Sequence, residues 1–564
     1  MPVTGTRIFS PRIYGNTLPS FRPRVFLLIS ISALLSLPLL VIIGSFFVPA
    51  SDTWQHLSDT VLSQYIVNSL ILMLGVGILT IVLGVIPAWF VTMYRFPGSR
   101  MLEWALLLPL AMPAYIIAYT YTGVLDASGP LQSWLRDITG WGFRDYWFPE
   151  IRSLGGAIAM LSFVLYPYIY LITRAAFIEQ SICALETART LGCGPCRTFF
   201  RVALPLARPS IIVGLSLVLM ETLADYGTVQ YFGISAFTTG IFRTWFGLGD
   251  SAAAAQLSAL LMLFVMVLIF IEYWSRKQQR YHHTSSRYGS LTQNRLNGMP
   301  AALATFGCSL PVVLGFLVPV AFLIHWAFLT YADIVDAEFL TYMQNSILLA
   351  GCAALVATTL AMFMAYGKRR DPGPLTRLAV NLSGMGYAIP GTVIAVGVML
   401  PLAWLDKSID SFFRAEFDIS TGLLLSGTLV AVMFAYMVRF LAVALKTVDA
   451  GLTRIKPSME EAGRSIGVSG FKLIRKIHIP IMRGSLLTAL LLVFVDVLKE
   501  LPATLILRPF NFNTLAIRAY ELANEERLAD ASCSSLAIVL VGIIPVIYLS
   551  RTISKSRPGH DTGT

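Results

Sequence analysis

The sequence predicts an all-α, polytopic membrane protein of about twelve transmembrane helices, built as two tandem halves of six. Three observations predict it. About 56% of the 564 residues are hydrophobic and 13% charged, against roughly 45–50% and 25% in soluble globular domains. Many apolar runs exceed the ~18 residues that cross a bilayer. A polar pattern between such runs is written twice, about 275 residues apart: Glu186-Thr187-Ala188, Gly192 and Leu204-Pro205, then Glu461-Ala462-Gly463, Gly467 and Ile479-Pro480. In both copies Gly follows Glu by six positions and Pro follows Gly by thirteen, a fixed spacing that marks an internal repeat.

The runs of helical length fall near 25–48, 65–93, 102–124, 153–173, 210–232 and 253–274 in the first half. In the second half they fall near 302–326, 343–366, 376–404, 421–445, 485–507 and 531–550. Helices suit them, because each run then closes its backbone hydrogen bonds within itself. Barrel strands would be shorter and would alternate polar with apolar. Arg7, Arg12, Arg22 and Arg24 precede the first run. That run is too long for a cleavable signal and reads as a retained span.

The +11 formal charge does not indicate nucleic acid, because the basic residues sit in short segments between apolar runs. Placing the N-terminus inside puts most of the 42 Lys and Arg on one face, as the positive-inside rule requires. Both termini are then expected in the cytoplasm. Arg95 and Arg100 bound one inner loop, and Lys368, Arg369 and Arg370 mark its counterpart. Outer loops carry Trp134, Trp141, Trp147 and Phe148, suited to the headgroup region of the lipid bilayer.

The repeat divides the chain into 1–290 and 291–564, with the motif loops at 175–209 and 446–484. The polar segment from Arg276 to about Asn297 is expected to link the halves; its His282-His283 pair lacks further ligands and reads as solvated linker. Further matches support the division. Tyr65-Ile66-Val67-Asn68-Ser69 echoes Tyr342-Met343-Gln344-Asn345-Ser346, and Pro113 matches Pro390. An even number of spans per half makes the halves parallel repeats about an axis along the membrane normal. The six cysteines form no disulfide framework. Cys193-Gly194-Pro195-Cys196 has redox spacing without the α/β context that redox chemistry needs, and reads as ordinary loop sequence.

Four carboxylates lie inside apolar runs. Glu221 and Asp225 are four apart, as are Asp496 and Glu500, so each pair is expected on one helix face. An ionised group at the bilayer centre costs about 2.5–3.5 kcal/mol, so all four are expected to face the bundle interior. There they line the path of a cationic substrate or hold the helices together. Lys499 can neutralise part of the charge. Tyr115 and Tyr119, also four apart, add hydroxyls to the path or pack beside it.

The twin loops resemble the EAA loop of ATP-binding-cassette importer permeases. The surrounding words resemble the fused iron(III) transport permeases: Leu223-Ala224-Asp225-Tyr226-Gly227-Thr228-Val229 with Gly240-Ile241-Phe242-Arg243-Thr244-Trp245-Phe246, and Lys499-Glu500-Leu501-Pro502-Ala503-Thr504 with Arg508-Pro509-Phe510-Asn511-Phe512. The first copy departs from the motif only in Thr187. The resemblance covers essentially the whole chain and implies two type I importer (MetI-like) permease halves in a bacterial inner membrane. It implies that Glu186, Thr187, Ala188, Gly192, Glu461, Ala462, Gly463 and Gly467 form coupling helices docking on two cytoplasmic ATPase subunits. A periplasmic binding protein would deliver ferric ion; thiamine and phosphonate importers have related permeases.

The chain itself is expected to be no enzyme and to bind no cofactor. No G-x-x-x-x-G-K-S/T phosphate loop is present, since Gly367-Lys368 runs on into Arg369-Arg370. ATP and Mg would therefore sit on the partner ATPase. No metal ligand set is assigned, and no H-E-x-x-H is found. The alternative of another class is a secondary transporter whose intramembrane carboxylates bind protons or sodium.

Overall fold

The computed structural model describes residues 23–49, 51–143, 145–179, 190–191, 194–277, 294–468 and 470–555. Among them the only strands are Tyr94–Arg95 and Asn294–Arg295, a short parallel pair joining the two halves. Among the described residues ten helices are long and apolar enough to cross a membrane. A bent pair, Ser99–Ala111 with Ala114–Thr139 at 93°, supplies an eleventh span. The helix Ala531–Lys555, where the twelfth run was expected, has a shorter apolar stretch, Ala531–Ile547. Of the expected linker, Arg276 and Lys277 end the helix Ser251–Lys277 and Asn294–Arg295 is the second strand; His282, His283 and the boundary at 290 lie outside the described residues.

Four of the expected continuous spans are broken, in matching places. In span three a short 3-10 turn, Leu108–Ala111, leads to Pro113, which heads the helix Ala114–Leu125. In span nine Gly386–Ala388 leads to Pro390, which heads Gly391–Phe417. Met112 (φ −92°, ψ 118°) and Ile389 (φ −91°, ψ 132°) are extended, because a residue before proline is forced out of the helical region. Spans five and eleven end at Ala224 and Leu498, and short helices Gly227–Tyr231 and Pro502–Leu507 follow.

The prolines of the repeated motif have a local reason. Pro205 and Pro480 occupy the first turns of Leu204–Ala224 and Ile479–Leu498. Each helix continues a preceding turn, so the ring must be accommodated inside a continuous run, Pro195–Ala224 or Ile474–Leu498. A wide π-helical turn precedes each, Phe199–Ala203 and Ile474–His478. The wider turn relieves the clash between a proline ring and the carbonyl four residues back.

Small residues let the spans approach, as interfaces in lipid require. Span four, Leu154–Glu179, is gripped by glycines on two neighbours: a Cβ on Gly84 or Gly214 would come within 2.9 Å of Ile169. The first span of each half crosses to the other half. Span one, Pro23–Gly44, lies on Gly391–Phe417, where a Cβ on Gly397 would sit 2.6 Å from the Pro38 carbonyl oxygen. In span seven, Met299–Ile334, the Leu314 carbonyl accepts from the Tyr121 hydroxyl at 2.7 Å.

The Tyr-x-x-Asn-Ser repeat also acquires a role. Asn68 Nδ2 donates to the Ser235 carbonyl at 2.8 Å, and Asn345 Nδ2 donates to the Asn513 carbonyl at 3.1 Å. Each ties its span to the loop beyond the short helix of its own half. Span ten begins at Leu429 rather than near 421. The preceding residues form a loop instead, because Leu424, Leu425 and Ser426 donate backbone N–H groups to the buried carboxylate of Asp406 at 3.2, 3.0 and 2.7 Å.

Candidate functional site

The two helix breaks bring the carboxylates together between the halves. Span five ends before Asp225, which is extended (φ −67°, ψ 129°), and span eleven ends before Glu500. The expectation that each acidic pair shares one continuous helix face is therefore corrected: the second member of each pair lies past the break. The physical reason is capping. Asp225 Oδ1 accepts from the N–H groups of Thr228 and Val229 at 3.0 and 3.2 Å, and Oδ2 accepts from the Thr228 hydroxyl at 3.1 Å. Glu500 Oε1 accepts from Ala503 N–H at 3.0 Å. A carboxylate at a helix start satisfies orphan donors and meets the positive end of the dipole.

One cavity of about 120 Å³ is lined by Glu221, Asp225, Asp496, Glu500 and Tyr115. Tyr168, Tyr387, Arg439 and Lys499 complete its polar wall. Tyr119 is not in that wall. It is buried behind it, its ring 5.7 Å from Tyr115 and 4.5 Å from Tyr231. Two of the four carboxylates have counter-ions: Arg439 Nη1 lies 2.7 Å from Glu500 Oε2, and Lys499 Nζ lies 2.9 Å from Asp496 Oδ1. Glu221 makes no ion pair or hydrogen bond among the described residues.

Arg439 is the site residue that sequence reasoning missed. Its signal was present: it is the sole charge in the 421–445 run, and such a charge marks the bundle interior. Tyr168 and Tyr387 carried no such signal. Gly391 is fixed by the same pair, since a Cβ there would lie 2.3 Å from Arg439 Nη1 and 2.6 Å from Glu500 Oε1. Gly391→Ala is expected to push this ion pair apart, at a cost of about 1–3 kcal/mol typical of overpacking. Thermal unfolding of the detergent-solubilised protein checks it, with Gly373→Ala as a control at an open position.

The cavity continues toward the loop end of the bundle. A second cavity, about 350 Å³, shares Tyr168, Tyr387, Asp496 and Lys499 with the first and reaches Lys446 and Thr447. At the opposite end the halves are bridged. The hydroxyls of Tyr226 and Tyr520 are 3.2 Å apart. Arg152 forks onto Glu526 with two bonds of 2.7 Å and lies 5.0 Å over the Tyr231 ring. Cavities thus reach from the carboxylates toward Lys446 and Thr447, while the other end is latched.

Hydrogen bonding from Arg152 holds the Glu526 carboxyl below its ordinary range. Because the folded-state pKa is lowered, the bridge stabilises above the ordinary carboxylate pKa and is lost as pH falls through the lowered value. Both side chains are partly exposed, at 32% and 59%, so the effect on overall stability is small. Spin labels on either side of the bridge should report a fixed distance at neutral pH and separation once the pH falls well below the ordinary carboxylate range. Glu526→Gln should remove that pH dependence.

In the second motif loop the helix Pro457–Ser465 presents Glu461 and Ala462 to solvent and buries Gly463. A Cβ on Gly463 would lie 2.6 Å from Ile477 Cδ1. Gly467 is left-handed (φ 81°) and ends the helix, with Val468 N–H returning to the Gly463 carbonyl at 2.9 Å, as helix-stopping glycines do. The helix is mounted by Glu460, the neighbour of the motif glutamate. Glu460 lies 2.7 Å from Arg369 Nε and 3.2 Å from Nε2 of the fully buried His478. The first-copy residues Glu186, Thr187, Ala188 and Gly192 lie outside the described residues.

These features define a class: a helical membrane permease with a polar cavity between two repeated halves, each half carrying one motif loop. The chain belongs to the family of binding-protein-dependent transport system inner membrane components, whose model matches residues 80–280 and 357–555. It is 27% identical over 535 residues to the Fe(3+)-transport system permease protein FbpB 2 of Haemophilus influenzae, covering 94% of this chain and 98% of that protein. It is 25% identical over 533 residues to the ferric transport system permease protein FbpB of Actinobacillus pleuropneumoniae, covering 89% and 73%. A stretch of the chain resembles a shorter relative, the molybdenum transport system permease protein ModB of Escherichia coli: 30% identity over 203 residues, 35% of this chain and 86% of ModB.

Proposed function

We propose that this chain is the transmembrane permease of an ATP-driven importer that moves ferric iron across a bacterial inner membrane. The observation that carries the reading is the end-to-end similarity to a Fe(3+)-transport permease, 94% of one chain against 98% of the other. Shorter relatives with other named cargoes match about a third of the chain. A cavity with more carboxylates than cations suits a cationic cargo.

In this reading a periplasmic binding protein delivers iron to the latched end, and two cytoplasmic ATPase subunits dock on the motif loops. ATP and Mg are held by those subunits, and this chain breaks no covalent bond. Its termini and both motif loops face the cytoplasm, where the positive-inside rule puts the Lys and Arg excess. The halves 1–290 and 291–564 rock about their common axis. Proteoliposomes containing the permease, its ATPase and its binding protein test this. Uptake of radiolabelled ferric iron should require enclosed ATP and ignore uncouplers. Uptake that proceeds without the ATPase and collapses with the proton gradient would contradict it.

A further inference from the structure

The cavity wall is unlike a site that strips a metal ion. Resting on the ferric-iron reading, we propose that the central cavity holds the trivalent ion by its outer sphere, contacting the water, hydroxide or oxyanion oxygens bound to the metal rather than the metal itself. A hard cation held directly needs about six or more oxygens converging at roughly 2.0–2.6 Å. Among the described residues no group of three or more His, Cys, Asp or Glu is placed to hold a metal. Glu500 and Asp496 are already neutralised by Arg439 and Lys499, and Asp225 is spent on its helix cap. Of the carboxylates Glu221 alone remains, and even together with the free Tyr115 hydroxyl it supplies too few oxygens to replace the shell of a trivalent ion.

The same wall offers hydrogen-bond donors, one of them a guanidinium that a bare cation would repel. Tyr115 is 5% exposed and Arg439 8% exposed. The Tyr115 hydroxyl and Arg439 Nε have no hydrogen-bond partner, although both residues line the cavity. Arginine can only donate, and a carboxylate can only accept. A wall carrying both is complementary to an ion dressed in oxygens: coordinated water donates to Glu221, and coordinated hydroxide or oxyanion accepts from Tyr115 and Arg439. The cavity has room for several waters, since about 120 Å³ is several times the roughly 10–15 Å³ that each needs. Contacts to a shell are also weak enough to release the cargo, which conduction requires.

The test compares two trivalent probes on the purified full chain in lipid nanodiscs, by equilibrium dialysis at mildly acidic pH. Aqueous chromium(III) exchanges its ligands too slowly to be ligated directly, whereas gallium(III) exchanges them readily. The expected result is that both bind with similar affinity, and that Glu221→Gln and Tyr115→Phe each weaken both by about tenfold, the loss of one hydrogen bond to the shell. Binding of gallium without chromium would overturn the inference and leave the iron reading standing. Chromium binding that neither variant weakens would place the ion elsewhere and overturn it too. If neither ion binds, the outer-sphere site and the iron reading of this cavity fall together. Circular dichroism and unfolding temperature of each variant separate lost binding from lost fold.

Discussion

Arg439→Ala is expected to abolish transport and lower the unfolding temperature sharply. Arg439 is buried between the halves and pairs with Glu500 at 2.7 Å. Removing one partner of such a pair leaves an uncompensated buried charge, typically costing about 3–5 kcal/mol. The damage is local in origin. Glu500 also caps Pro502–Leu507 through Ala503, so freeing its carboxylate disturbs the helix break that shapes the cavity. The double variant Arg439→Ala/Glu500→Gln should recover much of the stability, since neither member of the pair then leaves its partner's charge uncompensated, yet it should not recover uptake. Unfolding curves and ferric uptake, measured side by side, check both parts.

Gly467→Val is the second large effect, and it acts far from the cavity. Gly467 sits at φ 81°, where a residue with a Cβ pays about 1–2 kcal/mol and a β-branched one more. The chain should insert and keep its bundle, because the strain is confined to the end of Pro457–Ser465. The helix itself should lose its fixed seat. ATP hydrolysis by the assembled transporter should then no longer respond to the loaded binding protein, and uptake should fall at least tenfold. Gly467→Asn, which tolerates the left-handed region, should retain most activity. Equal loss in both variants would argue against a geometric role for this glycine.

Much of the architecture was legible because membrane solvation imposes it. Apolar length, the Lys and Arg bias and the doubled motif sufficed for about twelve helices in two halves. Pro113 and Pro390 could also have signalled their breaks, since the residue before proline resists helix. The breaks after Ala224 and Leu498 were harder to read. There the deciding interactions are the caps formed by Asp225 and Glu500, and a four-residue spacing reads equally well as one helical face. Arg439 was overlooked because its partner lies 61 residues away, while Lys499 offered a nearer counter-ion. Glu460 was hidden by its neighbour Glu461, which fits the motif. Only the packing of Arg369 and His478 around it reveals that Glu461 faces outward while Glu460 anchors the helix.

The central claim is that two motif loops, one per half, pass the motion of ATPase subunits to a shared cavity. The most direct measurement is the distance between spin labels at Thr187→Cys and Ala462→Cys in the assembled transporter, with and without ATP, on a background freed of other reactive cysteines. The account predicts one label pair on the same side of the membrane, drawing together when ATP binds. Labels on opposite faces of the bilayer, or a distance that ATP leaves unchanged while iron is still imported, would contradict it.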